Sequence, residues 1–351
     1  MAASRVVGTH VRLDGTYPIY GEDSFAGLGF LEALKERLQV NIVKEDEDSI
    51  EFDLVGVEAP LANALRRILL AEVPSVAIES VFVHDNTSII QDEVLSHRLG
   101  LVPLNIDPRL LEFPSPTPGN TTTANTVVFT MDVTGEKPTA PTDGSEPHRF
   151  HHVYSSSIQY HPQATGPEWP TTPGPVHPDI LLAKLQPGQR ICLELHACKG
   201  VGKDHAKFSP VATASYRLLP AVRLLRPVYD DDATELAARS KVFDAVPCTD
   251  GSGHRLQAVV ARPRLCNMSR ELLRDAKFSD AVHISRVNDH FIFSVETTGA
   301  LPARVIVQEA FKVLAAKCEA ASTALQAWVS GEAAAPASTD EPAAEASDVE
   351  A

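Results

Sequence analysis

The chain has 351 residues, 44% of them hydrophobic and 22% charged, a globular composition long enough for two domains and a sizeable core. Its net charge of −15 and pI near 5.3 oppose independent binding to DNA, whose phosphates call for a basic surface. No apolar run reaches the roughly 18–20 residues that span a bilayer and no signal-like apolar core opens the chain, so a cytosolic or nuclear location away from any membrane is expected.

Residues 1–37 mix Gly, Pro and aromatics around one short helical run, Phe30 to Leu38, and read as an N-terminal extension. Val40 to Val43 and Ile50 to Val55 read as strands joined by the acidic turn Glu45 to Asp48. Ile50, Phe52 and Leu54 alternate with Glu51 and Asp53, which predicts one buried and one wet face. A helix is predicted over 61–73. Leu61, Ala64, Leu65, Ile68 and Leu69 form one apolar stripe, Arg66 and Arg67 lie off it, and Pro60 and Pro74 bracket it.

Val76 to Val83 reads as a strand and Ser88 to Leu101 as a helix. Residues 105–175 read as strands with long loops, and Gly188 to Ala197 and Pro210 to Leu219 as strands. Residues 229–280 read as irregular, with a short helix near Ser269 to Ala276. Val282 to Ser285 and Phe291 to Val295 are expected to form a hairpin about Arg286 to His290. A long helix follows from Pro302 to about Trp328. Val307, Ala310, Phe311, Leu314, Cys318, Ala321, Leu325 and Trp328 give it a seam at spacings of three and four. Residues 331–351 are rich in Ala, Glu, Asp, Pro and Ser, and their composition predicts a disordered acidic tail.

Sites of chemistry are hard to assemble. Gly200-Val-Gly-Lys203 imitates a phosphate loop, but Ala197 stands where Gly is needed and Asp204 where Ser or Thr is needed. Cys192, Glu194, His196 and Cys198 share one strand face, yet the two cysteines would lie about 20 Å apart, too far for one zinc. The five cysteines include no C-x-x-C pair and fit reduced thiols. His148, His151, His152 and His161 read as loop histidines, and Asp230-Asp-Asp232 as a solvated acidic loop. No nucleophile–base arrangement stands out. We therefore expect no catalytic residue, no cofactor and no metal. Lys199, Lys203, Lys207, Arg217, Arg223 and Arg226 make a basic stretch opposed by Asp204 alone, suited to an acidic protein surface.

Four blocks give the chain a family likeness. They are Asn63-Ala-Leu-Arg-Arg67 running into Ala71-Glu-Val-Pro74; Ser96-His-Arg-Leu-Gly-Leu-Val-Pro103; Lys199 to Phe208 continuing through Ser209 to Pro220; and Asn288 to Glu296 with Gly299-Ala-Leu-Pro302. In order and wording they resemble the alpha-like subunits of multisubunit RNA polymerases, in particular the larger one shared by polymerases I and III, over residues 38 to 330. The chain lacks both the zinc-binding cysteine loop of the polymerase II relative and the iron–sulfur cysteine run of archaeal relatives.

The resemblance implies an α+β fold with a discontinuous dimerisation domain, an antiparallel sheet plus two long helices, over residues 38–73 and 210–330. A mostly-β insert would occupy 74–209. It implies a non-catalytic assembly subunit that pairs with a smaller alpha-like subunit and recruits the second-largest catalytic subunit and small zinc-binding subunits, with no sequence-specific DNA binding. Leu61, Leu65, Ile68, Leu69, Val307, Phe311, Leu314 and Leu325 are the expected dimer interface. Arg66, Arg67, Lys199, Lys203, Lys207 and Phe208 are the expected docking residues. The alternatives are an alpha-like subunit of another nuclear or archaeal-type polymerase and, more remotely, a phosphate-binding enzyme built on the Lys199–Lys207 loop.

Overall fold

The computed structural model describes residues 11–14, 17–20, 30–114, 121–136, 150–163, 167–248 and 255–330. The expectations for His148 and the acidic tail fall outside them. The first half holds β1 (Val11–Asp14), β2 (Tyr17–Tyr20), α1 (Phe30–Arg37), β3 (Gln39–Glu45), β4 (Ser49–Val55), α2 (Ala59–Ala71), β5 (Pro74–Asn86), α3 (Asp92–Gly100), β6 (Thr126–Thr134), β7 (His151–Tyr154) and β8 (Gln159–Tyr160). The second holds β9 (Leu181–Leu185), β10 (Arg190–Val201), β11 (Val211–Leu224), α4 (Asp230–Arg239), β12 (Phe243–Pro247), β13 (Leu256–Val260), α5 (Glu271–Arg274), β14 (Val282–Thr297) and α6 (Ala303–Ser330). The class is α+β, and the described strand pairs are antiparallel.

One four-stranded sheet runs β11-β14-β4-β3. Its inner face carries Ile50, Phe52, Leu54, Phe291, Phe293 and Val295, and α2 and α6 pack over it through Leu65, Ile68, Leu69, Ile306 and Val307. Phe52 and Phe293 face each other in register and stack with ring centroids 5.0 Å apart. Each such side chain contributes roughly 1.5–3 kcal/mol when buried, so this layer is the main anchor of both helices. A second sheet, β5-β10-β6-β8, surrounds a separate core of Ile78, Leu99, Phe129, Met131, Leu193 and Leu195.

Four expectations are corrected. The outer face of β4 is not wet: Asp53 and Ile292 are buried there, because the turn Pro263–Leu265 brings Arg264 onto Asp53 and Glu51. The region 229–280 is not irregular; α4, the β12–β13 hairpin and α5 close a third core around Leu236, Phe243 and Phe278. Residues 282–297 are not a hairpin but one strand whose two halves both pair with β11, the ladder lapsing between Arg286 and Phe291. The helix expected from Ser88 begins only at Asp92. Asn86 and Ser88 hold the intervening backbone in local hydrogen bonds (Asn86 Nδ2 to Ile90 O, 3.0 Å; Ser88 N to Asn86 Oδ1, 3.1 Å), which compete with helix formation.

Candidate partner interface

Helix α2 begins around Pro60, where a missing N–H costs nothing. It buries Ala62, Leu65, Ile68 and Leu69 on its own sheet, while Leu61 and Leu70 remain half-buried at the margin. Helix α6 spans 28 residues, about 42 Å at 1.5 Å per residue. Its first turns bury Ala303, Ile306, Val307 and Ala310, and Phe311, Val313 and Leu314 lie half-buried beside them. Beyond Leu314 nearly every residue is exposed, Leu325 at 63% and Trp328 at 72%.

The residues predicted for a dimer interface therefore divide. Leu65, Ile68, Leu69 and Val307 are committed to the intrachain core, Leu61, Phe311 and Leu314 lie at its rim, and Leu325 is free. A charge placed at Leu65 would attack the fold before it attacked a partner. The structure adds residues that the sequence did not single out. Val40 and Ile42 of β3 pair in register with Leu54 and Phe52, so they share the helix-covered face, yet they are 48% and 49% exposed. Helix α6 touches this edge strand through the Arg304–Glu45 ion pair (3.2 Å) and leaves Val40 and Ile42 exposed. On α6, Phe311 and Leu314 are apolar and only half-buried.

The loop from Lys199 to Phe208 turns inward. Lys203 N donates to Ala71 O (2.8 Å), satisfying a carbonyl at the C-terminus of α2. A Cβ at position 202 would meet Leu70 O at 2.3 Å, so only Gly permits this approach. Lys207 Nζ donates to Ile78 O (2.9 Å) and pairs with Glu79. Lys199 Nζ donates to Leu111 O (3.0 Å) over the Phe113 ring, and burial lowers its pKa. Phe208 is buried, its carbonyl accepting from Ser75 Oγ (2.6 Å). Lys199, Lys207 and Phe208 are thus engaged within the chain, which corrects the picture of an outward basic loop with an aromatic anchor. Lys203 is exposed. Arg66 is held on Asn63 Oδ1 (3.0 and 3.1 Å), and Arg67 is exposed.

This geometry also speaks against a phosphate cradle. Such a cradle aims N–H groups at the ligand from a helix N-terminus; here the Lys203 N–H is spent on a helix C-terminus. On β10, Glu194 is hydrogen-bonded to His196 (2.8 Å), which holds its carboxyl below the usual range, and the Phe82 ring lies 4.7 Å from that imidazole. Asp230 of α4 accepts from the backbone N–H groups of Arg255 (2.7 Å) and Leu256 (3.0 Å), and Asp232 pairs with Lys277 (2.7 Å). Among the described residues, His, Cys, Asp and Glu form no group of three or more arranged to hold a metal ion.

Comparison with known proteins agrees with an interface module. The family described as the RNA polymerase Rpb3/Rpb11 dimerisation domain matches residues 51–318. The chain is 48% identical over 295 residues to the human DNA-directed RNA polymerases I and III subunit RPAC1, covering 82% of this chain and 84% of that one. It is 41% identical over 302 residues to the Saccharomyces cerevisiae counterpart, covering 82% and 88%. Against the Dictyostelium discoideum DNA-directed RNA polymerase II subunit rpb3 the identity is 30% over 297 residues, covering 81% and 93%.

Proposed function

Because the chain belongs to the RNA polymerase Rpb3/Rpb11 dimerisation-domain family, we propose that it is the larger alpha-like scaffold subunit of DNA-directed RNA polymerases I and III. It carries no catalytic residue of its own. It pairs with a smaller alpha-like subunit, and the pair recruits the second-largest catalytic subunit and small zinc-binding subunits. Its place of work is the nucleus, including the nucleolus, in the synthesis of rRNA, 5S rRNA and tRNA. The relatives' shared assignment to polymerases I and III supports the choice of enzyme.

One observation carries the pairing: the chain itself only partly covers Val40 and Ile42 on the edge strand and Phe311 and Leu314 on α6. A partner helix laid there would bury all four, which is the way amphipathic helices dock into grooves. Phe311→Asp tests it, since that side chain is only half-buried and the fold tolerates its loss better than that of Leu65. Copurification with the smaller alpha-like subunit should disappear while the chain stays folded. Undiminished copurification would move the interface elsewhere.

A second contact is supported at the C-terminal end of α2. Arg67 stands one turn before Ala71, whose carbonyl binds Lys203 N, so two exposed cations flank one helix end, with Arg66 beside them. This pair suits an acidic surface on a catalytic subunit. Arg67→Glu with Lys203→Glu should leave the heterodimer intact and block its entry into whole polymerase. Normal entry would refute the docking role.

A further inference from the structure

Strand β3 ends the helix-covered sheet. It pairs with β4 on one side, and all seven of its residues are exposed. Among the described residues no strand pairs with its other edge. The N–H and C=O groups along such an edge are a template for a further strand. A partner helix laid over Val40 and Ile42 covers the face of the sheet and leaves these edge groups unanswered. The register of β3 with β4 is unbroken from Gln39 to Ile42 and shifts before Lys44. The straight part of the edge is therefore four residues long. Lys44 stands beyond it, the residue type that natural sheets place where strand addition is discouraged.

The same chain holds a hairpin that lacks a sheet. Strands β1 and β2 are four residues each and pair from Val11↔Tyr20 to Asp14↔Tyr17. Among the described residues they pair with no other strand. An isolated two-stranded hairpin is marginal in water, and a third strand is what stabilises it. Its two edges are unequal. Pro18 leaves β2 one N–H short, whereas Val11-Arg-Leu-Asp14 has all four. The nine residues 21–29 separate β2 from α1, a reach of up to roughly 30 Å. Strand β3 follows α1 after Leu38 and is about 23 Å long at 3.3 Å per residue, so its whole length is within range.

We propose that the N-terminal hairpin adds to the edge of β3 at Gln39–Ile42, giving the order β11-β14-β4-β3-β1-β2. In the structure the two edges stand unjoined; closing them satisfies both at once. Length chooses the site, four residues against four. Donor count chooses β1 over β2 as the adjoining strand. Tethering chooses this hairpin over that of a second copy, because a short linker holds it near β3 at an effective concentration of order mM. Seated there, the hairpin guards this flank against strands of other chains. The face that carries Val40 and Ile42 stays open to the partner.

Hydrogen exchange in the full chain tests this. In an edge strand the alternate amides that point away from the neighbour have no ladder bond. With the hairpin seated, such amides among residues 39–42 should exchange at least tenfold more slowly than in Val11→Pro/Leu13→Pro, which removes two donors from β1. Amides of β4 should be unchanged, which shows that the variant is folded. Amide–amide nuclear Overhauser contacts between residues 11–14 and 39–42 of the unmodified chain give a reading that needs no variant. Fast exchange of all outward amides there, or absence of those contacts, overturns the seating of the hairpin. Protection that rises with chain concentration would give the edge to a second copy, and would equally overturn it.

Discussion

The ring of Phe208 occupies the space in which residue 200 would carry a side chain: a Cβ there would come within 2.8 Å of three ring carbons. Gly200→Ala must therefore displace a buried ring that sits beneath the carbonyl gripped by Ser75. Overpacking of this kind costs about 1–3 kcal/mol. Urea unfolding of the variant should show that loss; stability equal to the parent would mean that the ring moves freely.

Lys203 and Lys207 should part company on charge reversal. Lys207→Glu faces Glu79 and forfeits the bond to Ile78 O, so it should lower stability by about 1–3 kcal/mol. Lys203→Glu, on an exposed turn, should stay within about 0.5 kcal/mol of the parent. Equal melting of the two variants would contradict the inward role given to Lys207.

Leu65 and Leu325 belong to one predicted interface list but to different environments, 1% and 63% exposed. Leu65→Ala should cost about 2–5 kcal/mol in the unpaired chain. Leu325→Ala should cost almost nothing there and show its effect only in the heterodimer. Denaturant titration of the chain with and without its partner separates the cases, and a large loss for Leu325→Ala alone would place it in a core.

Arg264 joins the third core to the dimerisation sheet through Asp53 (2.7 and 2.8 Å) and Glu51 (2.7 Å). Arg264→Met leaves a nearly buried carboxylate beside His290, 3.1 Å away. We expect a loss of about 1–3 kcal/mol, below the figure for fully buried pairs because Arg264 is itself partly exposed. Hydrogen exchange should quicken in residues 222–282 first. Uniform quickening across all three cores would show that the contact does not act locally.

Thiol reactivity should discriminate between Cys198 and Cys318. Burial pushes the Cys198 thiol up to about 11, with Glu79 adding to the rise. At pH 8 roughly one molecule in a thousand then carries the reactive thiolate, whereas Cys318 stands exposed on α6. Alkylation followed by peptide mapping should find Cys318 modified and Cys198 spared until the chain unfolds. Rapid labelling of native Cys198 would contradict the shift.

Helices α2 and α6 were legible in the sequence because each prints its apolar stripe at helical spacing, Leu61 to Leu69 and Val307 to Trp328. The strands around Ile50 and Phe291 were legible for the same reason at period two. What the stripe did not reveal was its far side. Whether Leu65 meets its own sheet or a partner depends on where Phe52 and Phe293 lie, and these are brought together only by the fold.

The inward turn of the basic loop was illegible for a related reason. Lys199, Lys207 and Phe208 are bound by carbonyls at Leu111 and Ile78 and by Ser75, none of which leaves a mark near residue 200. The charge of the loop suggested an outer surface; its two glycines mark close approaches to Leu70 and Phe208. Asp53 misled similarly, since its partner Arg264 is far away in the sequence.

The pairing of β4 with β14 bears on the order in which the nascent chain can fold. Phe52 leaves the ribosome long before Phe293 exists. At about 5–20 residues per second the interval is roughly ten to fifty seconds. During it the β3–β4 hairpin carries an apolar face with neither its central neighbour strand nor helix α6, while the β5-β10-β6-β8 sheet, whose strands are all made in between, can close first. Long-range pairing of this kind is slow and exposes sticky surface. Supply of assembly-competent subunit is thus set by completion of the C-terminal helix, and chains terminated before β14 should be selectively captured by chaperones or degraded.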